Sequence, residues 1–269
     1  MESMENIQMW RATREEFIMN ENTVYAIEKY LKDNNITDLS ITKSKMTLRV
    51  EGKQFLIREH IEAMLLALIS GGNKWYKVER QLVNIKRLFF EYEPDKILKQ
   101  DGNYYFNGLK NLGVNGRFAK RQMAEVHHNI KVLQSLDNDY GSIDKFLESR
   151  PINEIVKILA DSKSKYKLNQ MGVALVCEYL RNVGIDTAKP DIHMMRMLGC
   201  ERLGISSRKK ASHYEVISAF YELSRETRMW AADLDYLFWC YCADGKAEIC
   251  SANPKCDKCV IRGDCNKFR

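Results

Sequence analysis

The chain has 269 residues, 45% of them hydrophobic and 29% charged, with a formal net charge of +6. That balance is ordinary for a soluble globular protein with one large core or two modest ones. No apolar run approaches the ~20 residues that cross a bilayer, and the polar, acidic start lacks the apolar stretch of a signal peptide. Neither a membrane-spanning nor a secreted protein is expected on these grounds, and the expected location is cytoplasmic, nucleoid-associated in a prokaryote or nuclear in a eukaryote. The eight cysteines then read as reduced thiols or metal ligands rather than disulfides.

Apolar residues at helical spacing predict a helix over 21–33, carried by Val24, Ile27, Tyr30 and Leu31. Residues 44–58 depart from that habit: KMTLRV, EGK and QFLIR read as a small β-hairpin, β-branched and aromatic residues flanking a glycine turn. Helices are predicted again over 60–70, 75–90, 117–136, 142–149, 152–160, 172–183, 191–198, 212–224 and 229–243. Only four prolines interrupt the chain. The fold class is therefore all-α with one small hairpin near the N-terminus.

Three interhelical joints invite a functional reading beside a structural one. Ser70-Gly71-Gly72-Asn73-Lys74 and Asn111-Leu112-Gly113-Val114-Asn115-Gly116-Arg117 are either plain helix caps or backbone that approaches a partner closely. In the third, Leu168-Asn169-Gln170-Met171-Gly172 leads into a helix, and Lys189-Pro190-Asp191-Ile192-His193-Met194-Met195-Arg196 follows it. Asp191 can cap the helix it opens while one carboxylate oxygen stays available. Lysines at 163, 165 and 167, basic residues at 208–210, and Lys255, Lys258 and Arg262 form positive clusters. Those clusters suit a phosphate backbone, or are solvated surface.

Near the C-terminus, Cys250, Cys256, Cys259 and Cys265 stand at gaps of five, two and five. Four thiolates that close together fit an iron–sulfur cluster or a structural zinc. Cys177, Cys200, Cys240 and Cys242 lie among apolar residues and read as small buried side chains.

The Leu168–Gly172 turn, the Pro190–Arg196 segment and the four-cysteine loop together resemble the helix–hairpin–helix DNA glycosylases, in the endonuclease III branch that carries a [4Fe-4S] cluster. The resemblance spans roughly residues 60–269. The family writes the hairpin L-P-G-V-G, the aspartate segment V-D-x-H-x-x-R, and the cysteine gaps as six, two and five.

The resemblance implies a base-excision repair enzyme that flips a damaged or mismatched base out of double-stranded DNA and breaks its glycosidic bond. It makes Asp191 the central catalytic residue, a carboxylate that stabilises developing positive charge or activates water, and Cys250, Cys256, Cys259 and Cys265 the cluster ligands, with zinc the alternative metal. Asn169, Gln170, Met171 and Gly172, with Lys167, would contact DNA, and a monovalent cation would sit at the hairpin. Asn73 and Asn115 would wedge into the gap left by the flipped base. A monomer with two helical domains is implied: 59–187 with the hairpin, 188–269 with the cluster, and 1–58 packing with the latter.

Departures from the family pattern sharpen this expectation. Asn169 and Gln170 replace the hairpin Pro and Gly, so the phosphate-binding turn is expected to be built differently or to bind more weakly. The position of the Schiff-base lysine in bifunctional relatives, two residues after the last hairpin glycine, is Ala174. A side chain with no nucleophile predicts hydrolysis without strand cleavage. The alternatives are a lyase using a displaced lysine, for which 163, 165 and 167 are candidates, or a DNA-structure binder without turnover.

Overall fold

The computed structural model describes residues 19–36 and 43–268. The polar start falls outside them. Among the described residues every regular element is helical. The chain runs through α1 (Glu21–Asp33), α2 (Lys43–Val50), α3 (Ile57–Ser70), α4 (Trp75–Glu79), α5 (Leu82–Leu88), α6 (Pro94–Ile97), α7 (Gly102–Asn111) and α8 (Ala119–Ala124). It continues through α9 (Val126–Tyr140), α10 (Ile143–Glu148), α11 (Ile152–Ala160), α12 (Val173–Asn182), α13 (Ile192–Met197), α14 (His213–Thr227) and α15 (Ala231–Cys242). No described helix is long and apolar enough to cross a membrane.

Two hydrophobic cores organise these helices. The first runs from Phe55 to Val183, with Ile217 of α14 reaching in. At its centre is α3, charged in its first turns but almost wholly apolar from Ala63 on, with Ile61, Met64, Leu65 and Leu68 fully buried; such a stretch must be enclosed by other helices. Helix α12 packs along it. The second core joins α1, through Val24, Ile27 and Leu31, to α13, α14 and α15 and to Ile249 and Ile261 of the cysteine segment.

The expected hairpin over 44–58 is not formed. Residues 43–50 are helical, and Gly52 closes the helix at φ +88°. Gly52 N–H donates to Arg49 O at 3.0 Å and Lys53 N–H to Leu48 O at 2.9 Å, the paired bonds of a helix C-terminus ending on glycine. The glycine read as a hairpin turn is thus a helix cap. Of Met46, Leu48 and Val50 only Met46 is buried, while Val50 is 78% exposed.

Helix α2 is fixed by charge rather than by an apolar face. Arg49 donates to Asp144 Oδ1 at 2.8 Å and to Val183 O at 2.9 Å. Gly184 lets the α2 backbone cross closely, since a Cβ there would lie 2.5 Å from Lys45 O. The N-terminal segment therefore divides: α1 lies in the second core, whereas α2 and Phe55 lie against the first, not with the cysteine segment as expected of 1–58 as one unit.

Candidate active site

Helices α11 and α12 are joined by a loop whose tip is Leu168–Gly172, and buried polar contacts hold that tip. Asn129 of α9, fully buried, accepts from Asn169 N–H at 2.6 Å and donates to Asn169 O at 3.0 Å. Asn169 Nδ2 reaches Glu125 at 2.8 Å. Gln170, in the place of the family's first hairpin glycine, adopts φ +60°. The turn therefore keeps a left-handed residue although no glycine supplies it, at a steric cost to a residue with a Cβ. Met171 is buried in the first core. Gly172 is exposed and caps α12 with extended backbone and no side-chain hydrogen bond, so the first-turn N–H groups of this ten-residue helix open outward.

The lysines near the turn are engaged. Lys167 Nζ donates to Met171 O, and burial pushes its amine below the ordinary value. Lys165 pairs with Asp139 at 3.2 Å. Ala174, half-buried in the first turn of α12, presents only a methyl group.

Asp191 lies where the chain passes from the first core to the second. Helix α12 ends at Asn182, and Asp186 accepts from the N–H groups of Ala231 and Ala232 at 3.2 and 3.0 Å, capping α15. Asp191 then caps α13, accepting from His193 N–H at 2.8 Å and Met194 N–H at 3.1 Å, both through Oδ1. The cap uses one carboxylate oxygen and leaves Oδ2 outside it. Pro190 before the cap fixes the entry, and Asp191 N–H donates to Lys189 O at 2.7 Å. Burial, with Arg196 beside it, pushes the His193 imidazole below its ordinary value despite Asp191; Arg196 donates to His193 Nδ1 at 3.1 Å.

Two charged pairs flank this segment that no motif announces. Lys189 Nζ lies 3.0 Å from Glu178 Oε2 on α12. Glu178 is held below the ordinary carboxylate value because Lys189 and Arg181 outweigh its burial. Arg181 pairs with Asp235 of α15, both buried. Burial pushes Asp235 up to about 7, with nearby Asp191 adding to the rise and Arg181 opposing it. Asp235 Oδ1 and Arg181 Nε have no hydrogen-bond partner.

The joints at 70–74 and 111–117 come together. A Cβ on Gly116 would lie 2.7 Å from Gly72 O, and one on Gly71 would lie 3.3 Å from Leu175 of α12. Asn73 spans the junction, its Nδ2 donating to Ile69 O at 2.7 Å and Val114 O at 3.2 Å. Its amide ties the two loops together, while Asn115 is exposed. Beside them Phe118 is 40% exposed, with the Arg117 guanidinium 4.6 Å from its ring centre.

The four cysteines at 250, 256, 259 and 265 line one cavity with Arg202 and Lys267. Arg202 donates to Cys250 Sγ at 2.9 Å and to the carbonyls of Cys250 and Ser251 at 2.7 and 2.8 Å. Tyr241 O–H donates to Cys259 Sγ at 3.4 Å and accepts from Val260 N–H at 3.0 Å. A hydrogen bond from Cys242, with Arg202 alongside, holds the Cys250 thiol at about 6 against its burial. Among the described residues no three His, Cys, Asp or Glu side chains converge closely enough to hold a single metal ion.

No family model matches the chain, and no curated protein does. Among solved structures the chain is similar to the 8-oxoguanine glycosylase/lyase of Methanocaldococcus jannaschii, determined in complex with a 15mer DNA containing 8-oxoguanine. The TM-score is 0.53 at 19% identity, covering 80% of this chain and 95% of that one. The chain thus has the fold of a DNA glycosylase. At that identity the likeness is one of fold, and the chemistry must be read from this chain's own residues.

Proposed function

We propose that this protein is a DNA base-excision glycosylase that hydrolyses the N-glycosidic bond of a damaged or mismatched base flipped from a duplex. The observation that carries this reading is the placement of Asp191, at the passage between two cores of a glycosylase fold, spending one carboxylate oxygen on a helix cap. The other oxygen supplies negative charge where the sugar becomes oxocarbenium-like, or takes the proton of the attacking water. Ala174 keeps an amine out of the adjoining helix turn, so water is the nucleophile for base loss. The duplex would lie across the outward N–H groups of Gly172–Leu175, which favour a phosphate, and a monovalent cation bound by the turn would assist. The abutting loops at Asn73 and Asn115 would fill the space the base leaves. The enzyme acts as a monomer on genomic DNA, hence in the nucleoid or the nucleus.

Cys250, Cys256, Cys259 and Cys265 would hold a [4Fe-4S] cluster. An all-sulfur donor set ringing one cavity, with Arg202, Lys267 and Tyr241 directed at the sulfurs, suits a polynuclear centre more than a single zinc ion. Such a centre supplies cross-linking of a segment poor in apolar side chains.

Release of free base from a panel of modified and mismatched duplexes tests this reading, with 8-oxoguanine in the panel. Asp191→Asn retains a capping oxygen and should lose at least ~100-fold in single-turnover rate. Undiminished release by that variant sinks the assignment. Visible absorbance of anaerobically purified protein, with iron and zinc analysis, tests the cluster.

A further inference from the structure

Base hydrolysis leaves an abasic sugar whose C1′ opens to an aldehyde, and an aldehyde is what a primary amine captures. The amine is missing from Ala174, but the structure returns one to the same helix from a different place in the chain. Lys189 Nζ stands 3.0 Å from Glu178 Oε2. Glu178 is four residues beyond Ala174 on α12, so the two share a face, about 5–6 Å apart. Lys189 also directly precedes Pro190-Asp191, and its carbonyl accepts from Asp191 N–H at 2.7 Å. Its side chain is 25% exposed, so the ammonium is neither sealed in the core nor loose in solvent. Of the lysines beside the hairpin, Lys167 donates to Met171 O and Lys165 pairs with Asp139, while Lys163 is exposed.

We infer that Lys189, paired with Glu178, captures the abasic product as an imine, giving this chain a covalent step through an amine displaced from α12 to the segment that carries Asp191. The inference rests on the glycosylase reading above and extends it to the product. As the Lys189 nitrogen bonds to C1′ and the carbonyl π bond opens, one of its protons passes to the aldehyde oxygen, making it a hydroxyl, and another passes to the Glu178 carboxylate. Glu178 returns that proton to the C1′ hydroxyl, which leaves as water, and the iminium remains. One ammonium and one aldehyde thus become one iminium and one water, with no oxidant or reductant. The carboxylate acts as base and then acid at hydrogen-bond distance from the nitrogen.

The experiment incubates the full chain with a duplex containing one abasic site, in the presence of borohydride, which reduces an iminium to a stable amine. A covalent protein–DNA adduct is expected, with the added mass on the peptide carrying Lys189. Lys189→Arg keeps the positive charge and its pairing with Glu178 but cannot form an imine. It should lose the adduct at least ~100-fold while binding the abasic duplex within ~3-fold of the unaltered chain. Should that variant fail to fold, the mass mapping on the unaltered chain decides alone. Three results overturn the inference: the abasic duplex is bound but never trapped, the adduct maps to another lysine, or Lys189→Arg traps as well as the unaltered chain. Absence of any binding to abasic or lesion-bearing duplex instead brings down the glycosylase reading, and this inference with it.

Discussion

Asp144 and Asp235 are both helix residues almost wholly removed from solvent, and the fold treats them in opposite ways. Burial pushes Asp144 up, but His60 Nε2 at 3.1 Å, Arg49 Nη2 at 2.8 Å and the Phe55 N–H at 2.6 Å outweigh it and hold the carboxyl at about 2. His60 in turn meets Tyr179 O–H at 2.9 Å, which closes the network inside the first core. Asp235 meets the Arg181 guanidinium and the Lys189 backbone N–H, and its Oδ1 has no hydrogen-bond partner. It is pushed up to about 7. The number of donors, rather than depth of burial, decides the charge a buried carboxylate keeps. The satisfied knot pins α2 to the first core, whereas the under-satisfied pair lies beside Asp191. Departures from full satisfaction gather where function is expected.

The largest break of this contrast is Asp144→Ala. It leaves Arg49, His60 and the Phe55 N–H buried without their acceptor, and should cost about 3–5 kcal/mol in urea unfolding. Next is acid titration. Because Asp144 sits below its ordinary 3.8, its contribution is complete above that value. It is lost as pH falls toward about 2, an effect of roughly 2 kcal/mol that Asp144→Asn should abolish.

Asp235 has the opposite sign. Its folded form keeps a proton that the unfolded chain loses near 3.8, so stability falls as pH rises from there to about 7. Joint replacement Arg181→Met with Asp235→Leu should remove that decline and change stability at neutral pH by only about 1 kcal/mol, or raise it. A loss as large as that of Asp144→Ala would erase the distinction between the two sites. The smallest effect is at the hairpin: Gln170→Gly relieves a left-handed side-chain residue and should stabilise by up to about 1 kcal/mol in thermal unfolding.

Much of this was legible in the chain. Helix α11 and helix α1 follow apolar spacing with little competition, and both lie where periodicity put them. Helix α7 was missed because GNYYFNGLKN is rich in glycine and asparagine, poor helix formers that tertiary packing overrides through Tyr105 and Leu109. The unbroken helix expected over 75–90 divides into α4 and α5 at Arg80 and Gln81. At 44–58 the residue types around Gly52 misled, because Arg49 finds its partner Asp144 far along the chain, a contact that no local pattern reports. That the Asn73 amide ties Ile69 O to Val114 O was not legible either, since only the folded loops bring those two carbonyls together.

By itself the sequence determined which chemistry is present: Asp191 behind a proline at a helix start, Ala174 where an amine would stand, and four thiols within one short segment. These are properties of residue type at short spacing, fixed by covalent geometry and helix capping. Only the tertiary structure decided what those residues face. It set Lys189 against Glu178, Arg181 against Asp235 and Arg202 against Cys250. Each contact exists because segments apart in sequence are brought together when the apolar faces of the helices around them leave water.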